Sequence, residues 1–200
     1  MNFTLKLKRE FYLKNAELLA QKLLGKLLIL KDKKGTLVGK IVETEAYLGI
    51  KDAASHSYQG KITLRNKIMY EEGGLIYVYL IYGIHFCFNI VANRRGVPEA
   101  VFIRALQPLK GIEIMKKKNK KARTLLTLTN GPCRWTKSFG INKNFLGEKI
   151  YGEKIYILNQ PPLPKNKIIK TKRVGVDYAK EAKDWLLRFY IKDNPFVSLK

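Results

Sequence analysis

The sequence predicts an α+β fold: a single compact domain on a mixed, mostly antiparallel curved sheet, with peripheral helices and a protruding β-hairpin. Three observations carry this. The chain has 200 residues, which suits one domain. Its β-branched and aromatic runs follow one another directly, instead of alternating with helices as a doubly wound sheet requires. The longest apolar run, Leu75–Val91, is broken by Gly83, His85 and Asn89. It falls short of the roughly 20 residues of a membrane helix, and its tyrosines fit two strands joined at Gly83.

Residues 1–10 form a basic N-terminal arm, with residues 11–200 as the domain proper. Asn15 to Leu24 is amphipathic, with Ala16, Leu18, Leu19, Leu23 and Leu24 apolar and Gly25 as the stop, so it is a predicted helix. Leu27–Leu30 and Leu37–Tyr47 read as strands turned at Lys33-Lys34-Gly35. Gly49 to Gly60 is a loop, and Thr63 caps a short helix reaching Tyr70. After the turn Glu71-Glu72-Gly73-Gly74 come strands over 75–82 and 84–92, a turn at Asn93-Arg94-Arg95-Gly96, and a strand Ala100–Leu106. Lys110 to Arg123 is a lysine-rich helix or surface segment, most simply a solvated face. Asn130-Gly131-Pro132 opens a helix to about Phe139. Strands are expected at Lys154–Leu158, Lys167–Val174 and Leu187–Ile191, with a helix at Ala179–Trp185 and a proline-rich loop at 161–164.

Lys and Arg total 39 against 16 Asp and Glu, a formal net charge of +23. Such an excess favours a polyanionic partner, a nucleic acid or an acidic membrane surface. The two cysteines, Cys87 and Cys133, and the two histidines, His56 and His85, have no metal-ligand spacing, so no metal site is expected. Unpaired thiols fit an intracellular protein, and Met1–Glu10 lacks the apolar core of a secretory signal.

The candidate chemistry starts at Glu43-Thr44-Glu45-Ala46-Tyr47. Two carboxylates lie in a run that otherwise reads as a buried strand, a costly place for charge unless it is paired or used. Strand alternation groups Ile41, Glu43, Glu45 and Tyr47 on one face. A carboxylate beside an aromatic wall can accept a proton from water; the plainer reading is a salt bridge from Glu43 or Glu45 to a lysine. The second element is Tyr77-Val78-Tyr79-Leu80-Ile81-Tyr82-Gly83. Core packing explains Tyr77, but not Tyr82 at a turn, where an exposed aromatic on a basic protein suggests a wedge between base steps.

Several blocks, in order, resemble the alkyladenine (3-methyladenine) DNA glycosylase family. They are Ile41-Val42-Glu43-Thr44-Glu45-Ala46-Tyr47-Leu48-Gly49, then Asp52, Ala53, His56, Ser57 and Arg65-Asn66, then the 75–83 run with Cys87 and Asn89. Arg104-Ala105-Leu106-Gln107-Pro108-Leu109, Asn130-Gly131-Pro132, Arg173-Val174-Gly175-Val176 and Leu187-Arg188-Phe189-Tyr190 complete the set. The resemblance implies a monofunctional enzyme, without metal or cofactor, that flips alkylated or deaminated purines out of double-stranded DNA and hydrolyses their glycosidic bond. The implied substrates are 3-methyladenine, 7-methylguanine, hypoxanthine and ethenoadenine.

By the same resemblance, Glu45 is the general base, and Arg104 and the carbonyl of Val174 position the attacking water. Tyr47 and His56 form one side of the base pocket and Tyr79 the other, while the His56 main-chain N–H reads the base edge. Asn89 crowds the amino group of guanine, Tyr82 intercalates, and Thr63, Arg65, Gly83 and Ile84 contact the DNA backbone. Ile50-Lys51, His85 and the 93–99 loop depart from the family pattern beside the pocket, which bears on substrate preference. A monomer suffices, with no membrane partner, in a bacterial cytoplasm at the nucleoid or in a nucleus if the source is eukaryotic. The competing readings are a non-catalytic nucleic-acid-binding module, which has no need of Glu45, and a membrane-surface protein.

Overall fold

The computed structural model describes residues 5–199; residues 1–4 of the expected basic arm lie outside them. Helix α1 (Ala16–Leu23) starts where the Asn15 side chain accepts the Leu18 N–H, satisfying a donor that the first turn leaves open. It buries Ala16, Leu19, Ala20 and Leu23, while Leu18 faces solvent. Strands β1 (Leu27–Asp32) and β2 (Gly35–Tyr47) follow, then β3 (Ile76–Ile81), β4 (His85–Ala92) and β5 (Glu99–Lys110). Helices α2 (Ile112–Lys118), α3 (Leu125–Thr129) and α4 (Pro132–Phe139) precede β6 (Ile155–Leu158), β7 (Ile168–Thr171) and β8 (Arg188–Ile191).

The strands form one sheet in the order β3-β4-β5-β2-β1-β6, with β8 joining β2 and β7 joining β8. Every pairing between these strands is antiparallel, and the sheet curves into a half-barrel. This is the α+β architecture expected, with helices at its periphery and the β3–β4 hairpin projecting. Strand β2 organises it. Along one side it pairs with β5; on the other it pairs first with β1 and then, from Glu43 to Glu45, with β8.

The β2–β5 register shifts between Ile41 and Glu43. An extra residue bends a strand and interrupts its alternation. Ile41 therefore joins the main core with Ala46, whereas Val42 packs with Ala105 and Phe196. The expected grouping of Ile41 with Glu43 fails at this bulge. Beyond it alternation resumes, with Thr44 reaching the Ala20 carbonyl of α1 and Glu45 and Tyr47 on the other face.

The main core lies between the sheet and its helices. Trp135 packs edge-on between Phe88 and Phe139, and its indole N–H donates to the Ile103 carbonyl at 2.9 Å. Three local expectations change. Thr63 heads a turn that leads to a 3-10 helix, Lys67–Tyr70. The expected helix at 179–185 is also a 3-10 helix, Lys180–Asp184. Helix α3, closed by a reciprocal Thr124–Thr127 cap, was not expected, because its Leu/Thr run reads equally as strand. No described helix is long and apolar enough to cross a membrane.

Candidate active site

The second half of β2, the β3–β4 hairpin, the loop around His56 and the segment 173–178 enclose a cleft of about 430 Å³. That lies within the roughly 300–1,000 Å³ range of small-molecule pockets. Tyr47, His56, Tyr79, Asn89, Arg104, Val174 and Tyr82, all singled out from the sequence, line it.

Glu45 lies just behind this wall and is fully buried. Its Oε2 accepts the Tyr47 hydroxyl at 3.0 Å. Its Oε1 accepts the Val174 N–H at 2.9 Å and lies 3.2 Å from Arg104 Nη1. All three partners line the cleft, so the carboxylate is fixed directly behind its lining. The sequence suggested a carboxylate desolvated by rings; the structure instead surrounds it with donors. Among the described residues the lysine salt bridge does not form: the cation beside Glu45 is Arg104, and Glu43 is paired with Arg104 and Arg188. Burial opposes the charge on Arg104, but the Glu45 and Glu43 carboxylates outweigh it and hold the guanidinium pKa above its usual value.

The aromatic wall comes from β3. Tyr77 and Tyr79, two apart, share a strand face, with ring centroids 5.2 Å apart. His56 packs edge-on against Tyr79 at 4.7 Å, and its Nδ1 shares a 2.8 Å hydrogen bond with the Tyr77 hydroxyl. His56 and Tyr79 thus belong to one wall, whereas the resemblance set Tyr47 with His56 against Tyr79. Burial, helped by Arg65, lowers the His56 pKa to about 4, so the ring is neutral at physiological pH. Burial also pushes the Tyr77 hydroxyl up to about 12 and raises those of Tyr47 and Tyr79 well above the usual value. Asn89 on β4 donates to the Tyr77 carbonyl at 3.1 Å and lines the cleft.

Tyr82 stands at the hairpin tip, 83% exposed, with φ +52° beside Gly83 at φ +69°. Left-handed conformations suit a tight hairpin but are unfavourable for a tyrosine. Leu80 and Ile84 of the same hairpin are exposed, as are Ile62 and Leu64 of the segment before Arg65, apolar side chains open to solvent on a highly basic protein. Thr63 donates through its hydroxyl and N–H to Asn66 Oδ1. The Arg65 guanidinium lies over the Tyr79 ring at 4.6 Å, against the pocket wall.

Sequence reasoning gave no role to several residues that build this site. Arg173 forms a two-point ion pair with Asp52 at 2.5 and 2.8 Å, stacks on the Tyr47 ring at 4.8 Å and donates to the Ala46 and Ala182 carbonyls. Asp52 also accepts the N–H groups of Leu48 and Ala54. The pair fastens the His56 loop to the segment bearing Val174. Asn66 donates to the His56 carbonyl at 2.7 Å. Tyr178, exposed, lines the cleft, as do both cysteines. The only available signal was the presence of Asp52, Asn66 and Arg173 in the matching blocks, since contacts across 121 residues leave no local pattern.

Comparison with known proteins adds an independent line. The family model described as methylpurine-DNA glycosylase (MPG) matches residues 10–195. A protein of Natranaerobius thermophilus carrying the name "Putative 3-methyladenine DNA glycosylase" is 44% identical over 197 residues, covering 98% of this chain and 100% of the relative. Proteins of the same name from Clostridium novyi and Bdellovibrio bacteriovorus are each 45% identical, covering 98% and 97% of this chain and 99% of each relative.

Proposed function

The chain belongs to the methylpurine-DNA glycosylase family and is a hydrolase of N-glycosyl bonds; from that premise we propose that it excises methylated purines, 3-methyladenine first, from double-stranded DNA. The carrying observation is the placement of Glu45, held by the lining residues Tyr47, Arg104 and Val174 directly behind the wall of a ring-lined cleft.

The basic surface holds the duplex through its phosphates, with strong salt dependence. Tyr82 enters the minor groove at the hairpin tip, flanked by Gly83 and Ile84, while Thr63 and Arg65 meet the backbone. The damaged nucleotide rotates out, which costs least for a lesion that pairs and stacks poorly. Its base lodges between Tyr47 and the His56–Tyr79 wall, where electron-rich rings favour a cationic alkylpurine. Asn89 in the lining rejects the amino group of normal guanine. His56, kept neutral, adds no positive charge against such a base.

Hydrolysis then needs one water. Its oxygen bonds to the sugar carbon as the carbon–nitrogen bond breaks. The bonding pair leaves with the purine, and the water's proton passes to Glu45. A methylated purine already carries the positive charge that the departing pair neutralises, so it leaves without an acid. The Glu45 carboxylate also stabilises the oxocarbenium-like sugar, while Arg104 and the Val174 carbonyl hold the water. Hypoxanthine and ethenoadenine are neutral and need a proton as they leave, which ranks them below methylated purines. The protein acts as a monomer in the cytoplasm, at the nucleoid.

The test is release of free base from methylated duplex DNA, followed by alkaline cleavage at the abasic sites. The proposal requires lesion-dependent breaks that vanish in Glu45→Gln while that variant still binds lesion DNA. Breaks persisting in Glu45→Gln remove the residue from its role; salt-sensitive binding without breaks in the unaltered protein favours the binding-module reading.

A further inference from the structure

Glu43 is fully buried and does not line the cleft. Three of the described residues nevertheless converge on its carboxylate. Oε1 accepts from Arg104 Nε at 3.1 Å, Arg188 Nε at 2.7 Å and the Ser198 hydroxyl at 3.0 Å. Oε2 accepts the Ser198 N–H at 2.7 Å. Arg188 closes the cluster by donating to the Leu199 carbonyl. The segment that follows β8 thus returns to the back of the site, where Phe196 packs on Val42 and Ala105.

Arg104 is the link to the chemistry. Its Nε side is held by Glu43, while Nη1 lies 3.2 Å from Glu45 Oε1. A guanidinium is planar and rigid, so fixing its Nε side fixes where Nη1 points. Arg188 and Ser198 in turn fix the Glu43 carboxylate. We propose that Glu43 and Ser198 are positioning residues for hydrolysis, and that the segment 196–199 is a structural part of the active site acting through Arg104. The inference rests on the roles given above to Glu45 and Arg104. A network serving stability alone would lower the rate only in step with the folded fraction.

The experiment compares Ser198→Pro, which removes both donors to Glu43, with Ser198→Thr, which keeps both, in the full-length protein, with Glu43→Gln alongside. Release of 3-methyladenine from methylated duplex DNA gives kcat and KM, and thermal melting gives the folded fraction. A slightly misaimed group costs up to about 100-fold in rate. Ser198→Pro is therefore expected to lose about tenfold or more in kcat with KM within about twofold of the parent, at an unchanged folded fraction, and Ser198→Thr to behave as the parent. Glu43→Gln, where it folds, is expected to match Ser198→Pro. Normal kcat in Ser198→Pro, or a loss that tracks unfolding, overturns the inference. If Glu45→Gln also stays active, the underlying assignment has failed; if Glu45→Gln is dead and Ser198→Pro is normal, only the positioning role has.

Discussion

Tyr47 donates its hydroxyl to the carboxylate of Glu45 at 3.0 Å, so the ring that flanks the cleft and the acid behind it form one unit. The spacing of two along β2 makes this possible, because alternate side chains share a strand face. Arg173 stacks on the ring at 4.8 Å and fixes its plane. Tyr47→Phe keeps the ring and removes the bond to the acid. The expected outcome is lesion binding near the parent value with an excision rate reduced about tenfold, since a lost hydrogen bond to a charged group is worth about 1.5–3 kcal/mol. Single-turnover release against a binding titration separates the two quantities.

The hairpin tip sets stability against function. Tyr82 holds φ +52° and is 83% exposed, so its ring adds little to folding while its backbone is strained. Asparagine tolerates the left-handed region better. Tyr82→Asn should melt at the same temperature or slightly higher, consistent with a gain of up to about 1 kcal/mol, yet capture lesion duplexes more weakly. A fall in melting temperature with unchanged capture would remove the wedge assignment.

The regular parts of this protein were legible because their signals are local. Alternation in 37–47, the tyrosine run before Gly83 and the amphipathic spacing of 15–24 give β2, the hairpin and α1. The site was legible in outline for the same reason, since Glu45, Tyr47, Tyr77 and Tyr79 sit on strands whose faces follow from counting. What counting could not supply was anything set by tertiary contact. The bulge at Val42 depends on how β5 pairs, and the partners of Glu43 come from 61, 145 and 155 residues away. The side on which His56 stands depends on its bond to Tyr77, which no spacing encodes. Lysine abundance pointed the expected ion pairs to the wrong residue type. At these buried positions the pairs use arginine, whose planar fork satisfies several acceptors at once.

His56 provides a pH test. Burial and Arg65 lower its pKa from 6.5 to about 4. The unfolded chain therefore binds more protons between those values, and the folded state loses stability as pH falls through that window. The contribution is complete above about 6.5 and exhausted below about 4. The ring is partly open to the cleft, so the effect on stability is modest, but the titration itself is direct. The His56 ring resonances should stay those of neutral imidazole down to about pH 5 and move only near 4. A midpoint near 6.5 would show that the ring lies free of its wall. Tyr77→Phe, which removes the bond to Nδ1, tests whether that contact holds the ring in place.

The Asp52–Arg173 pair should be among the most sensitive points outside the residues to which we assign the chemistry. Both side chains have no exposed surface. The aspartate also accepts two main-chain N–H groups, while the arginine donates to two carbonyls. Removing one partner strands the other charge in the interior. Asp52→Ala is thus expected to cost about 3–5 kcal/mol, read as a lower midpoint of urea unfolding. Asp52→Asn retains the acceptor for Leu48 or Ala54 but not the charge, and should lie between that variant and the parent. Because Arg173 supports the Tyr47 ring and precedes Val174, whose N–H binds Glu45, the folded fraction of either variant should also excise methylpurines more slowly than the parent. If excision per folded molecule is unchanged, the pair holds the fold together without shaping the cleft, and the alignment of Tyr47 and Val174 must come from their other contacts.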